Sequence, residues 1–255
     1  MKKILLPTDF SENSINAIEY ASHLFKDVTC KFFLLNVFKI PYLANEELMD
    51  QNVAQLAALE EEMHEISRKE MKVLLDRLPK NTKHDFATIS DYNLFNLAVH
   101  QVVEEKNIEL IIMGTKGATG AKEIFLGSNT SDVIMRSSCN VIAVPENHTY
   151  KPPREIVFPT DFQIDYNFED LTPLISLAEM NKATVRIIHF SEKTDLDENQ
   201  KQNKRKLSSF LKNIEHKYYT LSSSNFEEGL NCFIQSRGNI DMICIIGRHY
   251  GFFQR

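Results

Sequence analysis

Residues 107–129 read NIELIIMGTKGATGAKEIFLGSN, and the organisation of the chain can be worked outward from them. The run Leu110-Ile111-Ile112-Met113 is short, branched and bounded by a glycine, the pattern of a strand buried on both faces. It ends at Gly114, a second glycine follows at Gly117, and Gly127-Ser128-Asn129-Thr130 opens a segment with helical spacing through Val133 and Ile134. A strand, a glycine loop and small hydroxyl residues at a helix start are the parts of an anion site. Glycine lets the backbone turn and approach closely, and the unpaired N–H groups of a first helical turn favour a phosphate. The glycines alone also suit a tight turn between strand and helix. The P-loop frame is absent, since no lysine follows G-x4-G, and so is the dinucleotide fingerprint G-x-G-x-x-G.

On either side the chain alternates short apolar runs with helical periodicity. Ile4-Leu5-Leu6 precedes Pro7, and Thr8-Asp9-Phe10-Ser11 supplies capping groups for a helix carrying Ile15, Ile18, Ala21 and Phe25. Phe32 to Phe38 predicts an interior strand. Val53, Leu56, Met63, Ile66 and Val73 predict a long helix between about Glu46 and Leu78. His84 to Ile89 predicts a strand, Asp91 the cap of a helix with Leu94, Leu97, Ala98 and Val102, and Asn140 to Val144 a fifth strand. Apolar strands separated by helices imply a parallel sheet covered on both faces, with ligands beyond the carboxyl ends of the strands.

The pattern then recurs. Lys3-Ile4-Leu5-Leu6-Pro7-Thr8-Asp9-Phe10 reappears as Glu155-Ile156-Val157-Phe158-Pro159-Thr160-Asp161-Phe162, with Asp9 and Asp161 152 positions apart. Asn107-Ile108-Glu109-Leu110 reappears as Asn239-Ile240-Asp241-Met242, and each copy runs on to a glycine, Gly114 or Gly247. The expectation is an α/β protein of two tandem doubly wound, Rossmann-like domains, 1–147 and 153–255. The second is incomplete, with nothing matching Gly117 or the segment from Gly127 to Val144.

The spacing Gly114-x2-Gly117-x9-Gly127-Ser128, with the Pro-Thr-Asp-Phe corner and the βα rhythm, resembles the ATP-binding branch of the universal stress protein family. The resemblance implies a five-stranded parallel sheet and ATP as ligand, with Mg2+ as its companion ion. It implies that Pro7, Thr8 and Asp9 line the adenosine, Val37 meets adenine through its backbone, and Met113, Gly114, Gly117, Gly127, Ser128 and Asn129 surround ribose and phosphates. An aspartate in this place is also a common helix cap, and Asp161 repeats it in a half without the glycine loop. Lys116 and Lys122 are candidates to neutralise phosphate charge, and exposed loop lysines by default.

A catalyst is disfavoured: Glu123 is the one carboxylate in the loop, and no histidine pair or G-x-S-x-G elbow stands nearby. The expected function is a stress-response protein in which ATP is a regulatory ligand. The alternatives are a non-catalytic dimeric scaffold with a vestigial site, and a slow ATPase. A homodimer is expected through the apolar edge Val141–Val144. The net charge of −6 disfavours nucleic acid and anionic membrane, and no apolar run reaches the ~20 residues of a bilayer span. The polar, early-broken N-terminal segment and four scattered cysteines, Cys30, Cys139, Cys232 and Cys244, lead to the expectation of a reducing cytoplasmic setting.

Overall fold

The strand Lys2–Pro7 (β1) lies in the middle of the first sheet, and its Ile4, Leu5 and Leu6 are completely buried. Neighbouring residues of a strand face opposite sides, so this burial requires cover on both faces. In a computed structural model of the chain the residues described are 1–38, 53–115, 126–191, 195–222 and 225–246. They belong to two units, Met1–Tyr150 and Lys151–Arg255.

In the first unit β1 is followed by α1 (Glu12–Leu24), β2 (Cys30–Phe38), α2 (Val53–Arg77), β3 (His84–Tyr92), α3 (Phe95–Lys106), β4 (Leu110–Gly114), α4 (Ser128–Arg136) and β5 (Asn140–Val144). All strand pairs are parallel, in the order β3-β2-β1-β4-β5. Leu5, Phe33, Leu35, Ile111 and Met113 pack under Ala98, Val99 and Val102 of α3 and Val133 of α4. The opposite face receives α1, whose Ala17, Ile18, Ala21 and Leu24 are buried. Chain order runs outward from β1 to β3 and then resumes on the other side of β1 with β4, so the direction of winding reverses between β1 and β4.

Three expectations change. Asp91 does not cap a helix: it lies within β3, in register with Val37, because pairing with β2 carries the strand on to Tyr92. The cap position of α3 is Leu94, whose side chain makes no capping bond. Helix α2 is present, but its buried positions are Ser67, Met71 and Leu74, continued by Leu78 just past its end, while Ile66 and Val73 are 45% and 47% exposed. The spacing i, i+4, i+7, i+11 of the buried set is a helical stripe, and a serine within it hid the true face. The start of the predicted helix, from Glu46 to Asn52, lies outside the described residues.

After β5 the chain stays on its own unit. Asn16 Nδ2 donates to the carbonyls of Pro145 (3.3 Å) and His148 (3.1 Å). The Tyr20 ring meets those of His148 and Tyr150, and His23 stacks on Tyr150.

The second unit comprises β6 (Glu155–Thr160), α5 (Phe168–Asn181), β7 (Thr184–Phe190), α6 (Glu198–Phe210), β8 (His216–Leu221), α7 (Phe226–Arg237) and β9 (Met242–Ile243). Its parallel sheet, β8-β7-β6-β9, repeats the winding of the first, with four strands among the described residues. On the face that carries the apolar cluster of Val157, Ile188, Leu230 and Phe233 lies a buried arginine. Arg186 donates through Nε and Nη2 to both Glu155 oxygens (2.5 and 2.9 Å) and through Nη1 to the Tyr219 hydroxyl (2.5 Å). No helix among the described residues is long and apolar enough to cross a membrane.

Candidate functional site

Each strand of the first sheet delivers its last residues to one edge, and the winding reverses there between β1 and β4, the place where open parallel sheets bind their ligands. The corner after β1 is fixed by its own polar groups. Thr8 N–H donates to the Leu35 carbonyl (2.8 Å), and the Thr8 carbonyl accepts from buried Asn36 Nδ2 (2.8 Å). Thr8 Oγ1 accepts the Phe10 N–H (3.0 Å) and is hydrogen-bonded to Ser14 Oγ (2.9 Å). These bonds hold Phe10 at φ 62°, in the left-handed region, where a bulky residue costs about 1–2 kcal/mol.

Asp9 is exposed, and its Oδ1 accepts from the Ser11 N–H (3.1 Å) and hydroxyl (2.5 Å). The cap of α1 is therefore Ser11, whose Oγ accepts from Ser14 N–H (3.3 Å), and Asp9 braces that cap.

At the end of β4, Met113 and Gly114 are buried. A Cβ on Gly114 would stand 2.7–2.8 Å from the side-chain atoms of Asn13, so this glycine admits α1 against the strand. Thr130 Oγ1 donates to the Gly114 carbonyl (2.9 Å), Thr115 N–H to Val144 (3.0 Å) and Gly127 N–H to Thr115 (2.6 Å). The two ends of the glycine loop thus meet through a backbone bond, and α4 begins beside the end of β4.

The cap position of α4 is Gly127 (φ −58°, ψ 156°), which has no side chain to satisfy the first turn, while Ser128 and Asn129 are exposed. By contrast Ser11, Asn167, Asp197 and Asn225 each supply a side-chain cap to their helices. Uncapped N–H groups and the positive end of a helix dipole together attract an anion.

The structure therefore brings Pro7, Thr8 and Asp9, Met113 and Gly114, and Gly127, Ser128 and Asn129 to the two sides of the reversal. Val37 lies one strand away, half-buried at the end of β2. Gly117, Lys116, Lys122 and Glu123 fall outside the described residues. Sequence reasoning assigned no role to Asn36 and Thr130, which fix the corner after β1 and the start of α4 each on its own side, or to Asn13, which lies against Gly114 across the reversal. The signal for Asn36 was a lone amide inside the apolar run Phe32–Phe38. No group of three or more His, Cys, Asp and Glu side chains that could hold a metal occurs among the described residues.

Residues 1–145 match the sequence model of the Universal stress protein family. The chain belongs to that family. Universal stress protein MJ0577 of Methanocaldococcus jannaschii is 30% identical over 158 residues, covering 58% of this chain and 97% of that protein. Its solved structure aligns with 58% of this chain and 98% of its own at 26% identity and a TM-score of 0.50. A universal stress protein from Archaeoglobus fulgidus aligns over 98% of this chain and 86% of its own, with a TM-score of 0.64 and 19% identity. That alignment extends the shared fold through both units of this universal stress protein. Another solved family member, in complex with cAMP, matches 58% of this chain and 98% of its own at 18% identity and a TM-score of 0.39, too slight a likeness to transfer a ligand.

Proposed function

We propose that the first unit binds one adenine nucleotide, ATP, as a regulatory ligand in a cytoplasmic stress response. The observation that carries this is the glycine-capped start of α4 beside the reversal between β1 and β4. The phosphates, with any Mg2+ they carry, lie on the N–H groups of Ser128 and Asn129 and on the loop containing Gly117. The ribose and adenine lie over Pro7, Thr8, Asp9, Met113 and Gly114, reaching towards Val37. The fit is physical: the amides at α4 lack a side-chain cap, and the corner opposite is rigid. Regulation is favoured over hydrolysis because Asp9 is engaged with Ser11 rather than poised as a base.

Calorimetric titration with ATP and Mg2+ tests this. The wild-type chain is expected to bind one nucleotide. Gly127→Ser supplies a hydroxyl that competes for the same N–H groups, so it should weaken binding about tenfold while leaving the helix as stable or a few tenths of a kcal/mol more so. No binding heat at millimolar ATP, or an unchanged affinity in Gly127→Ser, would overturn the reading.

A second reading, assembly, rests on β5. It pairs with β4 alone among the described residues, and on α4 beside it Ile134 and Met135 are 37% and 57% exposed. Two copies pairing through Val141–Val144 would bury that edge. Sedimentation at high micromolar concentration should show a dimer, and a strictly monomeric species would exclude one.

A further inference from the structure

Strand β3 runs in register with β2 along its whole length, which makes Asp91 the partner of Val37 at the carboxyl end of the sheet. The face it takes follows from its neighbours. Ala87 and Ile89 pack with Val37, Leu35 and Met113 in the cluster under α3. Ser90 and Tyr92 point the other way, Ser90 Oγ lying 3.0 Å from His64 Nδ1 of α2 and the Tyr92 ring stacking on Phe38. Asp91 therefore stands on the face of Val37 and Met113, one strand, about 4.8 Å, beyond Val37.

Its carboxylate is half-buried and has no hydrogen-bond or ion-pair partner among the described residues. Other aspartates of the unit are engaged: Asp9 with Ser11, Asp85 with Lys31 (3.1 Å) and Asp132 with Asn96 (3.0 Å). The nearest helix does not use it, because the Leu94 N–H at the start of α3 goes to Asn93 Oδ1 (2.8 Å). Nor does the strand require it. In the second unit Pro159 partners Ile188 as Pro7 partners Leu35, so Phe190 and Leu221 are the counterparts of Val37 and Asp91. Both pack on the apolar cluster of Val157, Ile188, Leu230 and Phe233. The half without the glycine loop fills this place with leucine. The half with the loop keeps a carboxylate that forgoes part of its hydration and gains no donor from the protein.

We infer that Asp91 reads the base of the nucleotide, its carboxylate accepting a hydrogen bond from the exocyclic amine of adenine. The inference rests on the function proposed above, in which the base reaches towards Val37. An ionised carboxylate only accepts, and the 6-amino group of adenine donates. A purine with oxygen at that position sets acceptor against acceptor.

Calorimetric titration of the full chain compares ATP with purine riboside triphosphate, which lacks only the 6-amino group. Wild type should bind ATP about tenfold more tightly. Asp91→Leu, which copies Leu221, should weaken ATP about tenfold and leave the analogue within about twofold of wild type, so that the preference for the amine disappears. If that variant unfolds the first unit, Asp91→Asn takes its place. Neutral but with one acceptor oxygen left, it should weaken ATP about threefold, with the analogue again unchanged. Equal binding of the two ligands by wild type, or a loss in the variant shared by both, overturns the inference and leaves the nucleotide site standing. GTP bound as tightly as ATP overturns it as well, since guanine carries oxygen at the 6-position. Binding of neither ligand by wild type removes the site itself and the inference with it.

Discussion

Gly114→Ala tests whether the glycine at the end of β4 serves the fold before it serves any ligand. The added Cβ would lie 2.7 Å from Asn13 Cγ and Nδ2 and 2.8 Å from Oδ1. Ordinary contact needs about 3.5–4.0 Å between such atoms, so the amide must retreat by roughly 1 Å. Asn13 is 4% exposed on α1, which leaves it little room to do so. Overpacking of this kind costs about 1–3 kcal/mol, against which the alanine recovers about 0.4–1 kcal/mol of unfolded-chain entropy. The net expectation is a loss of about 1–2 kcal/mol. In a unit of 150 residues this lowers Tm by about 2–8 °C. Because two units need not unfold together, the assay is native-state hydrogen exchange at the amides of β1 and β4, which reports the first unit alone. Asn13→Ala in the same chain should absorb the strain, giving a coupling of at least about 1 kcal/mol in a double-mutant cycle. A cost below about 0.5 kcal/mol, or additive single effects, would refute the packing argument and return Gly114 to the ligand.

Three further outcomes are expected. Asn36→Leu leaves the Thr8 carbonyl without its buried donor and should destabilise the first unit by about 1–3 kcal/mol in the same exchange assay, whereas Asn36→His, copying His189 and its bond to the Thr160 carbonyl (3.0 Å), should stay within about 1 kcal/mol of wild type. Glu155→Gln leaves buried Arg186 without a countercharge, and with one amide oxygen still accepting it should cost the second unit about 2–3 kcal/mol by hydrogen exchange at β6 and β7. Gly238→Ala places a left-handed backbone (φ 64°) on alanine with no atom within 4 Å of the new Cβ, so only conformational cost remains, about 1 kcal/mol, read from exchange in α7.

The alternation of apolar runs with helical spacing was enough to place five strands in the first sheet: β1, β2 and β4, buried on both faces, are apolar at nearly every position, whereas the outer strand β3 carries a weaker pattern and ran on three residues beyond the expected Ile89. The repeat of Pro-Thr-Asp-Phe was enough to announce a second sheet. Finer features were set by tertiary pairing and left no local trace. Asp91 reads as a cap because aspartate before a helical pattern usually is one, but nine residues of register with β2 drew it into β3. Ile66 and Val73 read as core because they are apolar, yet Ser67 and Met71 hold the buried stripe of α2. In the candidate site the glycines were legible through their spacing. The supports Asn13, Asn36 and Thr130 were not, since Asn36 and Thr130 act through backbone carbonyls brought near by the fold and Asn13 through close packing on Gly114.

The two corners together decide how much weight the Thr-Asp pair can bear. Thr8 and Thr160 both accept from the N–H two residues on, Asp9 and Asp161 do the same, and Phe10 and Phe162 share a left-handed backbone. A constellation that keeps its geometry in a unit without the glycine loop is maintained by the turn from strand to helix, with or without a ligand. The corner therefore supplies a rigid wall, and recognition must come from what faces it. In the first unit that is the start of α4, where glycine withholds the side-chain cap that four other helices possess. An unmet first turn costs a helix about 1 kcal/mol relative to a good cap, although glycine itself forfeits only a few tenths. A single serine at position 127 would recover that difference, so the function proposed here predicts that stability and nucleotide affinity move in opposite directions at this one residue.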